Sequence, residues 1–320
     1  MQADREDSSL LKSTVLADSS YRRRQFRTRT VLLRERGENV VDKVAATDEA
    51  RTFLGSIPAK ERENAEYLRG HFNVLCGRER GEGIIYEYIP QPSLAESIGI
   101  ELGSDHCDKA DRLLDLYVHK IHALEHRCCC PSEFLSVIAG EKSGGNPLST
   151  DCLCRGLLDL TPRNILLDGD QWVVIDNEWS FTFPVPTVFL LFRAIRELCF
   201  TLQPEIRRTT SVHRPAVGLL TSGLQTRYFP KPWIEYFRDS QVSFSRMLRW
   251  EAGFRRYVAG SAHRNPGYVK FWPRETTRLS VWRSSDHDGA LAGVRRVLRK
   301  APGVKRLVHL AEGLLLGRRK

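Results

Sequence analysis

The sequence predicts an α+β fold in two lobes, a small strand-rich lobe followed by a mainly helical one. Three observations carry this. Near the N-terminus, "QFRTRTVLLRERGENVVDKVAA" alternates on both sides of Arg36-Gly37-Glu38-Asn39, the pattern of a hairpin. Beyond residue 91 the apolar residues recur mostly at helical spacing. Inside that helical part, "NILLDGDQWVVID" sets two short apolar runs around Asp168-Gly169-Asp170, a second hairpin that carries carboxylates. With 320 residues, 41% of them hydrophobic, the chain can bury a core of this size.

Taken in order, residues 1–18 are polar and expected to be loose. The first hairpin follows and puts Lys43 on its second strand. "PAKERENAEYLRGHF" starts with Pro58 and repeats apolar residues at Tyr67, Leu68 and Phe72, which predicts a helix. "GIIYEYIP" reads as a buried strand that stops at Pro90. Helices begin with "SLAESIGIE", and "CDKADRLLDLYVHKIHALEH" places Leu113, Leu116, Tyr117, Ile121 and Leu124 on a core stripe. The histidines of that helix read as surface groups or satisfied core groups. After the loop "EKSGGNPLST" and the second hairpin, helices resume with "VFLLFRAIRELCF" and "WIEYFRDSQVSFSRMLRWEAGFRRYV". The expected organisation is a flexible N-terminus over residues 1–18, a first lobe over 19–90, a second over 91–285, and a basic amphipathic tail over 286–320.

Several classes are excluded by composition. No apolar run reaches the roughly 18 residues of a membrane span, and "MQADREDSSLLKSTVLAD" has acids where a signal peptide has a basic head. The expected localisation is cytoplasmic. Eight cysteines, with Cys128, Cys129 and Cys130 adjacent, lack both a secreted disulfide pattern and the CxxC spacing of a zinc ribbon, so reduced thiols are expected. From Glu251 to Lys320 there are 16 Lys and Arg against 5 Asp and Glu, a balance of +11 that accounts for the whole chain's +10.

The stretch "LLDLTPRNILLDGDQWVVIDNEW" concentrates the chemistry. Asp159 precedes Asn164 by five residues, the hairpin follows, and Asp176 leaves its second strand. That order brings oxygen-rich side chains to one end of the hairpin. Hard cations such as magnesium take carboxylate and carboxamide oxygens and seldom need more than two protein ligands. Asn164 and Asp176 suit that task, and Asp159 suits the acceptance of a hydroxyl proton. Glu178 fits either a metal site or a helix cap. Trp172 and Trp179 read as core.

D-L-x-x-x-N-I-L, a hairpin and then I-D-x-E resemble the catalytic and metal-binding loops of the protein-kinase-like fold. The sequence looks most like small-molecule kinases of the aminoglycoside phosphotransferase and choline kinase type, over roughly residues 19–200. The resemblance implies Asp159 as catalytic base, Asn164 and Asp176 as magnesium ligands, and Lys43 in "VVDK" as the ligand of the ATP α and β phosphates. Lys43 would pair with a helix glutamate. Glu63 and Glu66 both lie on the candidate helix, with Glu63 favoured. The backbone around Glu87 to Ile89, in "IIYEYIPQPSLAE", would receive the adenine. Two departures stand out: Leu157-Leu158 occupy the place of the usual His before the Asp, and "DSSYRRRQ" takes the place of a glycine-rich loop.

The implied activity is ATP- and magnesium-dependent transfer of the γ-phosphoryl group to a hydroxyl of a small molecule or glycan, with a sugar-like acceptor preferred. The rivals are a pseudokinase acting as a binding module, a protein kinase, and a basic membrane or nucleic-acid adaptor in which the tail alone carries the activity. "GALAGVRRVLRKAPGVKRLVHLAEGLLLGRRK" interleaves Leu and Val with Arg and Lys, which suits peripheral contact with an anionic membrane surface or docking on the second lobe. Nucleic acid is disfavoured as a partner because no reader motif accompanies the charge.

Overall fold

In the computed structural model, the described residues are 13–35, 37–104, 106–129, 131–141, 149–202 and 242–260. All belong to one compact unit, Met1–His263. The basic tail 286–320 and most of the loop after Glu141 lie outside the described residues.

Strands dominate the first part and helices the second, as the sequence predicts. The N-terminal sheet holds β1 (Ser13–Asp18), β2 (Thr28–Glu35), β3 (Glu38–Ala45), β5 (Arg78–Arg80) and β6 (Gly83–Glu87). Their order is β1-β2-β3-β6-β5, and every pairing is antiparallel. The first hairpin closes with Gly37 at φ 90°, a conformation that favours glycine. One expectation needs correction: residues 13–18 are not loose but form β1, paired to β2. All six β1 side chains are exposed, so no core-facing alternation marks the strand in the sequence.

Two helices, α1 (Arg51–Gly55) and α2 (Ile57–Tyr67), cross this sheet. Pro58 lies in the first turn of α2, where its missing N–H costs nothing. The buried face of α2 is Ile57, Glu61 and Asn64, one helical stripe. Leu54 and Ile57 pack on Ile84 and Tyr86 of β6, with Val41 and Ala45 of β3 against them. Odd-numbered residues of β3 therefore face inward, and Lys43 is among them.

The strand β4 (Asn73–Val74) leaves this part of the chain to pair in parallel with β11 (Gln171–Val174), which itself forms the second hairpin with β10 (Ile165–Asp168). Helix α3 (Leu94–Gly103) begins with a full capping box, Ser93 accepting from Glu96 N–H at 3.1 Å and Glu96 accepting from Ser93 N–H at 2.7 Å. Helix α4 (Cys107–His122) buries Ala110, Leu114, Tyr117 and Ile121. Tyr117, Ile121 and Leu124 of the expected stripe are buried, whereas Leu114 takes the inner position in place of Leu113 and Leu116 is 44% exposed.

Short strands β7 (His126–Cys129), β8 (Thr150–Leu153) and β13 (Val185–Pro186) make a further sheet, and β9 (Gly156–Leu157) pairs with β12 (Ser180–Phe181). The core of this half lies between α5 (Thr187–Thr201), α6 (Phe244–Ala259) and the π-helical turn Phe134–Ile138. Phe134 meets Trp250 edge to face at 5.0 Å. A Cβ at Gly253 of α6 would stand 2.3 Å from the Ala139 carbonyl, so only glycine permits this approach. Between α5 and α6, Glu251 is buried among Arg193, Arg196 and Arg255. Among the described residues, Cys76, Cys128, Cys152 and Cys154 are not joined in disulfides.

Candidate active site

The loop from Asp159 to Asn164 is stitched to itself. Thr161 N–H donates to the Asp159 carbonyl at 2.7 Å, and Asn164 Nδ2 donates to the same oxygen at 3.1 Å. Ile175 N–H donates to the Asn164 carbonyl at 2.8 Å, tying the loop to the end of β11. The position before Asp159 is Leu158, fully buried, and the hydroxyl of Tyr117 on α4 donates to the Leu160 carbonyl at 2.8 Å. Core packing and Tyr117 thus order a loop that lacks the usual histidine. The Asp159 carboxylate accepts the Trp179 N–H at 2.8 Å.

Asp176 follows β11 with φ 57°, the one non-glycine in the left-handed region among the described residues. Such backbone is uncommon and gathers at functional sites. Here it turns the carboxylate out of the hairpin, where the Lys43 ammonium donates to Oδ1. Lys43 Nζ also donates to Glu178 Oε1 at 2.9 Å. Glu178 is the hub of the cluster: Arg22 pairs with its Oε2, and Thr28 Oγ1 donates to its Oε1 at 3.2 Å. The guanidinium of Arg22 also lies over Trp179, 5.4 Å from the ring centre.

These charges split the two aspartates. Burial, reinforced by the negative charge of Asp176, pushes Asp159 well above the usual carboxylate range, against the Trp179 N–H. Burial acts the same way on Asp176, but Lys43 outweighs it and holds that carboxyl below its usual value. Lys43 itself is kept well above the ordinary lysine value, because Asp176 and Glu178 override its burial. A pair of carboxylates driven apart in this way can divide the roles of proton acceptor and permanent anion.

Of the residues singled out from sequence, Lys43, Asp159, Asn164 and Asp176 belong to one constellation. Glu87 ends β6 and Ile89 follows it, in the connection between the sheet and α3. Glu63 does not join them. It pairs with Arg155 at 2.6 Å, whereas Glu61 is fully buried and accepts from Tyr86 Oη at 2.9 Å and Gly77 N–H at 2.8 Å. The reason is helical phase: Glu61 shares the stripe of Ile57 and Asn64, and Glu63 lies on the opposite face. Tyr86 lies beside Lys43, with Nζ 5.9 Å from its ring centre, and so links the lysine to Glu61.

Sequence reasoning placed Arg22 in the segment that replaces a glycine-rich loop without foreseeing its partner, and it missed Lys60. Most of the segment "DSSYRRRQ" is exposed, but two points tie it down: Arg22 is drawn in by Glu178, and Arg23 N–H donates to Val258 O at 2.9 Å on α6. Phe26 and Phe53 pack on Trp179 at 5.1 and 5.3 Å, which confirms the indole as core. On α2, Lys60 Nζ lies 5.3 Å from the Phe53 ring centre; burial lowers its pKa, and the negative charges of Asp159 and Glu178 oppose that. An arginine run beside a serine pair was the only signal for the first, and nothing local marked the second. An open cavity of about 550 Å³ near Arg24, Asp42, Arg51 and Arg80 lies on the other face of β3 and is not part of this site.

Neither a protein-family model nor a curated protein matches the chain. Among solved structures it is similar to choline kinase from Streptococcus pneumoniae, with 14% identity, 84% of this chain and 88% of that one covered, and a TM-score of 0.35. A thermostable mutant of an aminoglycoside phosphotransferase is similar at 12% identity, with 78% and 95% covered and a TM-score of 0.37. A macrolide 2'-phosphotransferase from Brachybacterium faecium is similar at 11% identity, with 90% and 91% covered and a TM-score of 0.34. Likenesses at these scores carry no argument about activity, and the weight falls on the side chains.

Proposed function

We propose that this chain is an ATP- and magnesium-dependent phosphotransferase that moves the γ-phosphoryl group onto a hydroxyl of a small molecule, with a sugar or glycan hydroxyl as the preferred class. One observation carries the reading. Lys43 on β3 and Asp176, separated by 133 residues, meet beside Asp159 and Asn164, which gives a cation, two carboxylates of opposite proton affinity and a carboxamide in one place. Phosphoryl transfer needs mainly positioning and charge neutralisation, and those are the groups that supply them.

The residues fit a hard divalent cation. Asp176 keeps its side chain 45% exposed and uses only Oδ1 toward Lys43, and Asn164 spends Nδ2 on the Asp159 carbonyl, which turns Oδ1 away from that bond. Asp176 and Asn164 would hold magnesium, which neutralises phosphate charge when bound. Lys43 would take the α and β phosphates, and the backbone from Glu87 to Ile89 the adenine. Asp159 would accept the proton of the attacking hydroxyl, a task helped by its raised proton affinity. The reading keeps the chain cytoplasmic, with residues 286–320 as a contact for an anionic membrane surface.

A second reading, a pseudokinase, is favoured by the way Glu178 and Arg22 saturate Lys43 and its surroundings. Thermal unfolding with and without ATP and magnesium, beside Asp176→Ala, tests the first step. A ligand at 100 times its dissociation constant stabilises by about 2.7 kcal/mol. A magnesium-dependent shift lost in Asp176→Ala, together with ATP-dependent phosphorylation of an aminoglycoside or sugar panel, supports the enzyme. A weak shift with no turnover on any hydroxyl acceptor supports the pseudokinase, and no shift at millimolar nucleotide sinks the enzyme and leaves the binding module.

A further inference from the structure

Away from the active site, His122 on the last turn of α4, His126 at the start of β7 and Asp151 on β8 converge. Their ligand atoms all lie within 4.8 Å of one another. Strand register explains the meeting: His126 is opposite Leu153, so Asp151, two residues back on β8, is its diagonal neighbour on the same face.

The tautomer of His126 is decided by its neighbours. Its Nδ1 lies 2.6 Å from the Leu124 carbonyl, which can only accept, so Nδ1 carries the proton. Nε2 is left buried with no hydrogen-bond partner, 3.6 Å from Asp151 Oδ2. In the neutral ring that is a lone pair aimed at a carboxylate, an arrangement that costs free energy unless a cation lies between them. Donation of one imidazole N–H to a backbone carbonyl while the other nitrogen waits is the usual support of a metal-bound histidine. The ring of His122 stacks on that of His126 with centroids 6.0 Å apart.

We propose that His122, His126 and Asp151 bind a zinc ion, with solvent as the fourth ligand, and so fasten the end of α4 to the β7–β8 pair. Two imidazoles and a carboxylate are the donor set of a borderline divalent ion, and tetrahedral zinc with bonds of about 2.0–2.1 Å needs ligand atoms about 3.4 Å apart. His126 and Asp151 are already near that spacing at 3.6 Å, and the exposed His122 closes the rest by side-chain rotation. The adjacent thiols are not required: Cys128 Sγ is 2.9 Å from Ser149 Oγ, and Cys154 Sγ accepts from Arg127. Because β8 runs on through β9 toward Asp159, the ion would stiffen the approach to the catalytic loop.

The test is a zinc titration of the full chain, stripped with EDTA, against a chromophoric chelator at neutral pH, with cobalt as the spectroscopic probe. One equivalent should bind, and the cobalt form should show d–d bands without thiolate charge transfer. His126→Gln and Asp151→Asn should each weaken binding by about 100-fold or more, beyond the range seen for outer-shell changes. Cys128→Ser and Asp176→Ala should leave it unchanged, which separates this site from the thiols and from the proposed magnesium site. Asp151 is 54% exposed, so its substitution should leave the melting of the metal-free chain unaltered. Binding that survives both ligand substitutions, binding lost in Cys128→Ser, or no zinc retained at all would each overturn the proposal, the last leaving a plain His–Asp pair.

Discussion

Among the described residues, the charge cluster around Glu251 and the one around Lys43 are built to opposite ends. Between α5 and α6, the single acid Glu251 answers three arginines, Arg193, Arg196 and Arg255, and is 4% exposed. Around Lys43, three acids, Asp159, Asp176 and Glu178, face Lys43, Arg22 and Lys60. In the first cluster the lone carboxylate is fully engaged and its charge is fixed. In the second, one carboxylate is pushed toward protonation, another is held ionised, and Asp176 keeps nearly half its surface open. A closed network with one charge state is a staple, whereas an open one with divided proton affinities can exchange protons and bind a ligand.

The contrast can be broken most directly at Asp159. If Asp159 is the proton acceptor, Asp159→Asn should lower turnover by about 10²–10⁴-fold while the melting temperature holds or rises, since the amide still accepts from Trp179 and no buried charge remains. Steady-state rates beside a melting curve check both halves. A turnover that persists would take Asp159 out of the chemistry.

Glu251→Gln should do the reverse. Removing one partner of a buried ion pair costs about 3–5 kcal/mol, because the arginines lose their counter-charge, and denaturant unfolding should register that loss. Nucleotide binding per folded molecule should be unaffected.

The two clusters should also differ in pH dependence. The charges of Arg193, Arg255 and Arg196 outweigh burial and pull Glu251 down to about 2, below its ordinary 4.5. Its stabilisation is therefore complete above the ordinary value and lost as the pH falls through 2, on the order of 3 kcal/mol in all. Asp159 is raised instead, so its contribution is complete below the ordinary carboxylate value and is lost as the pH rises from there through the raised one. Urea titrations across pH should show Glu251→Gln flattening the acid limb and Asp159→Asn the opposite one.

The smallest effects sharpen the choice of helix glutamate. Glu61→Gln should cost about 1–3 kcal/mol by disturbing the buried bonds to Tyr86 and Gly77, and it should weaken nucleotide binding through Tyr86 and Lys43. Glu63→Gln, an outer-face change against Arg155, should stay within about 0.5 kcal/mol by the same unfolding measurement. Equal effects from the two would erase the distinction between the inner and outer faces of α2.

Much of this was legible in the residues themselves. Gly37 and Gly169 announce the two hairpins, period-two alternation puts Lys43 on β3, and the close spacing of Asp159, Asn164 and Asp176 ensures that one hairpin presents all three. Those are short-range facts, decided by turn chemistry and by the direction of successive side chains. What the tertiary structure alone decided was which of several similar residues each group meets. Arg22 finds Glu178 across 156 residues, and Lys43 finds Asp176 across 133. Glu61 displaces Glu63 because only the packed sheet defines the inner face of α2, and β1 exists because β2 offers it an edge. His122, His126 and Asp151 come together through the register of β7 on β8. Local pattern sets the direction of a side chain relative to its own element, but its partner is set by how elements pack, and that information is spread over the whole chain.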